Sequence, residues 1–138
     1  MSNRIEDLSP LCQERFQLFK AKLDAGQISF VVVSTLRSLA EQQAQWFKGR
    51  DSSGKVIDPK AVVTQVDGII KKSHHQTGNA FDLTFADEHG NPYWPTDPVR
   101  WFALGNMAES CGLDWGGRFQ PLDKDGLGWD CDHFQIGE

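Results

Sequence analysis

Ser73 to Asp82 reads Ser-His-His-Gln-Thr-Gly-Asn-Ala-Phe-Asp, which sets an imidazole, His75, seven residues ahead of a carboxylate, Asp82. Near the C-terminus a second cluster, Asp130-Cys131-Asp132-His133, supplies another imidazole and two more acids. Two histidines and one carboxylate from separate stretches form the donor set of a catalytic zinc, provided that one coordination position stays open for water. Neutral imidazole nitrogen and carboxylate oxygen both suit that ion. Such a centre also needs a general base to take a proton from water and return it to a leaving amine. Asp130, three residues before His133, is the candidate, and Asp132 is the alternative, because the orientation of both depends on where the local strand begins. The residues read as a small zinc hydrolase. His74 and His89 stay outside the set: an extended segment would turn His74 away from His75, and His89 lies among turn residues.

Positioning these groups falls to the elements around them. Ser9-Pro10 is an N-cap followed by proline at the first helical position, and Cys12, Phe16, Phe19 and Leu23 then share one helical face, ending at Gly26 as the C′ residue. Ile28 to Leu36 is β-branched and apolar and predicts a buried strand, with Arg37 at its end. Ser38 and Glu41 form a capping-box pair that opens a second helix running to about Lys48. Arg37 therefore stands at a strand-to-helix junction, and its guanidinium is well shaped to hold a carboxylate. Residues 50–72 show no sustained periodicity and predict a long functional loop with a short helix near Pro59–Val63 and a solvent-facing basic spot at Lys71-Lys72.

Ala80 to Phe85 predicts a strand with Asp82 and Thr84 on one face and Phe81, Leu83 and Phe85 on the other, so that the apolar face meets the core and Asp82 faces a cleft. Gly78 permits the turn that brings His75 back to Asp82. Asp87 to Pro92 supplies turn residues before a return strand at Tyr93-Trp94, and Asp97-Pro98 opens a helix whose apolar face is Val99, Phe102, Ala103, Met107 and Cys111. A glycine-rich loop from Trp115 to Gly128 leads to a closing strand, on which His133 and Cys131 point one way and Asp132 and Phe134 the other. Asp123-x-Asp125-Gly126 lacks the full ligand pattern of a calcium loop and reads as a solvated turn. The order of elements gives an α+β fold, with helices packed on a small antiparallel sheet.

At 138 residues the chain fits a single domain, residues 1–138. A formal net charge of −5 without clustered Lys or Arg argues against a nucleic-acid partner. Cys12, Cys111 and Cys131 are an odd count at irregular spacing, which predicts reduced thiols and synthesis in a cytoplasm. No stretch reaches the roughly 18 apolar residues of a membrane span. The N-terminus lacks the apolar core of a signal peptide. The chain reads as a monomer.

Ser73-x-His75-x-x-Gly78-x-Ala80-x-Asp82 resembles the S-x-H-x-x-G-x-A-x-D motif of the VanY-like D-alanyl-D-alanine carboxypeptidases and of their phage-endolysin relatives, the L-alanyl-D-glutamate endopeptidases. Asp130-x-x-His133-Phe134 is similar to their closing acid-x-x-His motif, Thr35 to Gln43 to an upstream arginine element, and Trp115-Gly116-Gly117 to a Trp-Gly-Gly stretch. Leu36 stands where the family usually has an aromatic residue, and Asp132 where many members have proline or glycine. The resemblance implies zinc held by His75, Asp82 and His133, Asp130 as base, Arg37 on the substrate carbonyl or carboxylate, and Ser73 as a further substrate contact. It implies the small α+β zinc-peptidase fold shared with hedgehog-type proteins. The implied activity is cleavage of peptidoglycan stem peptides, foremost at the L-Ala–D-Glu bond, by a phage endolysin made in the host cytoplasm and acting on the wall after release. Removal of terminal D-Ala, a tail-associated lysin and a non-catalytic zinc-binding module are the alternatives.

Overall fold

The computed structural model describes residues 2–64, 66–68 and 73–137. Helix α1 spans Pro10–Ala25, β1 Phe30–Ser34, α2 Leu39–Trp46, β2 Ala80–Ala86, β3 Pro92–Tyr93, α3 Pro98–Ser110, β4 Asp114–Trp115 and β5 His133–Gln135. The sheet runs β1-β2-β5-β4, every pairing is antiparallel, and β3 pairs with the C-terminal end of β2. This is the α+β architecture expected from the sequence. The basic pair Lys71-Lys72 lies outside the described residues.

Beneath the sheet, α1 lays Cys12, Phe16, Phe19 and Leu23 against the apolar face of β2 and β5. Phe81 meets Phe16 edge-on at 5.3 Å and stacks on Phe134 at 5.6 Å, while Phe19 lies 5.1 Å from Phe134. Fully burying such a ring contributes about 1.5–3 kcal/mol, so this cluster is what fixes β2 beside β5. Ser9 caps α1 through a hydrogen bond from the Cys12 N–H, as its spacing predicts.

The structure corrects several details. The left-handed residue ending α1 is Gln27, at φ 56°, and Gly26 keeps near-helical angles. Gln27 N–H donates to Asp24 O and Ile28 N–H to Leu23 O, which is a Schellman closure with the glycine one position early. Strand β1 is an edge strand in which only Ser34 is buried, since β2 covers one side of it alone. On α3 the buried stripe is Trp101, Leu104, Gly105 and Ala108, whereas Val99 is 71% exposed. Trp101 takes the core position because its ring packs on Phe85 at 5.2 Å and its Nε1 donates to Pro95 O. Gly105 lies so close to the Trp115 ring that any Cβ there would collide with it. Trp115 itself is a buried β4 residue rather than part of the glycine-rich loop.

Candidate metal centre and cleft

Two backbone devices aim the donor groups. In β1 an extra residue at Val33 interrupts the ladder, so Val32 opposes Leu83 and Ser34 opposes Asp82. The Ser34 hydroxyl then donates to Asp82 Oδ2 at 2.7 Å. Gly78, at φ 74°, turns the chain between His75 and β2, and a Cβ there would press on the Ser9 amide at 3.0 Å. The segment from His74 to Gly78 is a turn, not an extended run, and it closes with Asn79 N–H on His74 O. His75 is thereby buried, and His74 lines the cleft instead of pointing away.

His75, Asp82 and His133 converge, each offering one ligand atom, and these atoms all lie within 4.8 Å of one another. Asp82 Oδ1 sits 3.2 Å from His75 Nε2 and 3.3 Å from His133 Nδ1. The outer nitrogens are occupied: His75 Nδ1 donates to Thr35 O at 2.8 Å, and His133 Nε2 meets Gln135 Oε1 at 2.7 Å. Three N/O donors with their outer hydrogen bonds already made fit a zinc ion.

Electrostatics follow from burial and crowding. Burial alone would raise the Asp82 carboxyl, but hydrogen bonds and charge from His133 and His75 hold it well below the usual carboxylate range. Burial pushes Asp130 up to about 7; the His133 charge opposes this, and the charges of Asp82 and Asp132 add to it. Asp132 is also raised, first by burial and then by Asp82, against a 2.9 Å hydrogen bond from Trp94 Nε1. Burial lowers the Arg37 guanidinium, with Asp82 and Asp130 offsetting part of the effect.

A cleft of about 480 Å³ opens over these groups, with Arg37, Ser73, Asp130, Asp132, Phe119 and Trp129 on its walls. Asp130 Oδ2 lies 3.8 Å from His133 Nδ1. Residues 131 and 132 form a turn ahead of β5, so the expected alternation fails there: Cys131 packs against the core and Asp132 faces the cleft. The Arg37 backbone N–H donates to His75 O, and its Nη1 donates to Gln42 Oε1 at 2.7 Å. Arg37 Nε and Ser73 Oγ are buried and without a hydrogen-bond partner. Both residues line the cleft, and an unpaired buried polar atom calls for a partner that the protein itself does not supply.

Sequence reasoning gave no role to Ser34, Gln135 and the aromatic wall of Phe119 and Trp129, nor to Gln42, which it met only as part of the Thr35 to Gln43 element. Gln135 carried a signal, since residues two apart on a strand share a face with His133. Ser34 carried none, because the bulge that aims it arises from strand pairing.

Comparison with known proteins bears on the fold and the family. The chain is 25% identical over 118 residues to the peptidoglycan L-alanyl-D-glutamate endopeptidase CwlK of Bacillus subtilis (strain 168), a match that covers 80% of this chain and 66% of that protein's length. The L-Ala D-Glu endopeptidase ChiX of Serratia marcescens has the same fold, with a TM-score of 0.65 at 20% identity over 96% of this chain and 83% of its own. So does a variant of the vancomycin-resistance D,D-pentapeptidase VanY in complex with Zn(II), with a TM-score of 0.62 at 22% identity over 94% and 72% of the two chains. The M15 peptidase family described as D-alanyl-D-alanine carboxypeptidase matches residues 68–136, half of the sequence and the half that holds all three donor residues, and the chain belongs to that family.

Proposed function

We propose that this protein is a zinc-dependent peptidase that cleaves peptidoglycan stem peptides at the L-Ala–D-Glu bond. The observation that carries the reading is the shared cleft: a three-donor cluster, a carboxyl beside it, and Arg37 and Ser73, each with a buried polar atom left unpaired, all line one cavity. The likeness to CwlK and ChiX supports the choice of bond.

His75 Nε2, Asp82 and His133 Nδ1 would hold the metal. Zn²⁺ supplies Lewis acidity and lowers the pKa of water when it is bound. Asp130 takes the proton released at attack and returns it to the departing amine. Burial raises its carboxyl and a bound cation would offset part of that, which suits a group that must both take and return a proton. Two contacts favour Asp130 over Asp132: Asp130 lies against His133, while Asp132 is tied to the Trp94 indole. Arg37, held by Gln42 through Nη1, directs the charge of its guanidinium at the carbonyl oxygen as negative charge develops there. Ser73 Oγ hydrogen-bonds the substrate backbone.

Within the same proposal the protein is a phage endolysin, made in a host cytoplasm and reaching the wall once the membrane is breached. Digestion of purified sacculi, followed by mass spectrometry of the new termini, tests the bond. Free N-terminal D-Glu is the expected product. Release of D-Ala alone would make the protein a D,D-carboxypeptidase, and zinc uptake without any cleavage would make it a binding module.

A further inference from the structure

The two imidazoles of the site are anchored by different kinds of acceptor. His75 Nδ1 donates to a main-chain carbonyl, that of Thr35, in a residue that is fully buried. His133 Nε2 meets a side chain, Gln135 Oε1, at 2.7 Å. A metal takes the lone pair of one ring nitrogen, so the proton of a neutral imidazole must sit on the other.

At His75 the main-chain carbonyl of Thr35, which can only accept, draws the proton onto Nδ1 against Asp82 Oδ1, 3.2 Å from Nε2. At His133 the contest includes a second carboxylate. Nδ1 faces Asp82 Oδ1 at 3.3 Å and Asp130 Oδ2 at 3.8 Å, two acceptors that draw the ring proton onto the nitrogen a metal would need. The opposing pull is the Gln135 amide oxygen. Its place is well fixed, because residue 135 pairs with Ala80 of β2 on one side and Asp114 of β4 on the other. As a β5 residue two positions from His133, Gln135 sends its side chain to the cleft face while Phe134 fills the core.

We propose that Gln135 is a positioning residue for the metal centre: its amide oxygen holds the His133 proton on Nε2 and keeps Nδ1 open toward Asp82 and the metal. The inference rests on reading His133 as a metal ligand. Gln135 also borders the cleft, so a direct substrate contact is the competing role, and the two roles separate by measurement.

The experiment is zinc affinity by competition with a chromophoric chelator, for the unaltered protein, Gln135→Leu and Gln135→Glu. Ring-nitrogen NMR shifts of His133 and the thermal midpoint of each metal-stripped protein are recorded alongside. Gln135→Leu keeps the bulk and removes the acceptor; it is expected to lose zinc affinity about 10–100-fold and to shift the His133 proton toward Nδ1. Gln135→Glu keeps an acceptor and is expected to restore affinity to within about threefold of the unaltered protein. Leu at 135 with unchanged zinc affinity, an unchanged His133 tautomer and only a raised KM would overturn the proposal in favour of substrate contact. If the unaltered protein takes up no zinc at all, the metal-centre reading falls and this inference falls with it. Zinc bound equally by the unaltered protein and Gln135→Leu sinks the inference alone.

Discussion

The two walls of the cleft are built by different means. The sheet wall, with Asp82 on β2 and His133 on β5, is fixed by a backbone ladder and backed by the packed rings of Phe81, Phe134 and Phe19. The facing wall, from α2 and the loop that follows it, is held by side chains gripping main-chain carbonyls. Gln42 Nε2 donates to Val66 O at 2.6 Å, Arg50 Nη1 to Trp46 O and Thr64 O, and Gln76 Nε2 to Gly68 O. Gln42 also accepts from Arg37, so one fully buried amide joins a proposed substrate contact to the loop. The difference assigns roles: lesions in the sheet wall should remove metal, chemistry or the fold, and lesions in the loop wall should loosen the substrate first.

The largest effects should fall on the metal donors and on the sheet wall. His75→Ala and His133→Ala are expected to purify without stoichiometric zinc by elemental analysis. Asp130→Ala should keep the metal yet lose about 10²–10⁴-fold in rate on sacculi. Retained metal with full activity would remove Asp130 from the mechanism. The base must be ionised to accept a proton, so activity is lost as pH falls through its pKa. Burial pushes Asp130 up to about 7 and a bound cation pulls it down, which places the acid limb of kcat/KM at or below about 7. Phe81→Ala should cost about 3–5 kcal/mol in urea unfolding, because its ring is fully buried between α1 and β5.

On the loop wall, Gln42→Leu leaves the Val66 carbonyl without its donor and the Arg37 guanidinium without its acceptor. A cost of about 1–3 kcal/mol in stability is expected, with a raised KM and unchanged zinc content. Zinc lost together with substrate affinity would show that the two walls are one cooperative unit, and the division of roles would fail.

The same contrast explains what could be read without coordinates. The donor residues were legible because each belongs to a short motif whose spacing has a chemical purpose. The α1 face was legible because its four buried residues recur at spacings of four, three and four, a period that the exposed Leu11 and Leu18 beside them do not share. On α3 apolar residues occur all round, and only the fit of Trp101 on Phe85 and of Trp115 on Gly105 decides the phase. The loop wall was opaque for a related reason: Gln42 and Val66 lie 24 residues apart and join through a main-chain carbonyl, a partner no side-chain pattern announces. Ser34 was hidden by the bulge at Val33, and the direction of Asp132, already a candidate base, by the turn before β5, two breaks in strand alternation.

The smallest test concerns the start of α2, where the loop wall begins. Ser38 Oγ accepts from the Glu41 N–H at 3.1 Å, and Glu41 Oε1 accepts from the Ser38 N–H at 3.2 Å, a reciprocal cap that sets the first turn beside Arg37. Ser38→Ala should cost about 1 kcal/mol of stability. Because α2 presents Gln42 one turn later, fraying there should reach the substrate contact before the metal. The expected result is a modest rise in KM with kcat and zinc content unchanged. Ser9→Ala offers the control, since Ser9 caps α1 on the core side and also donates to Asn79 at the entrance to β2. It should lower stability at least as much while leaving KM alone. Equal changes in KM from both caps would mean that global stability, not the loop wall, sets substrate affinity.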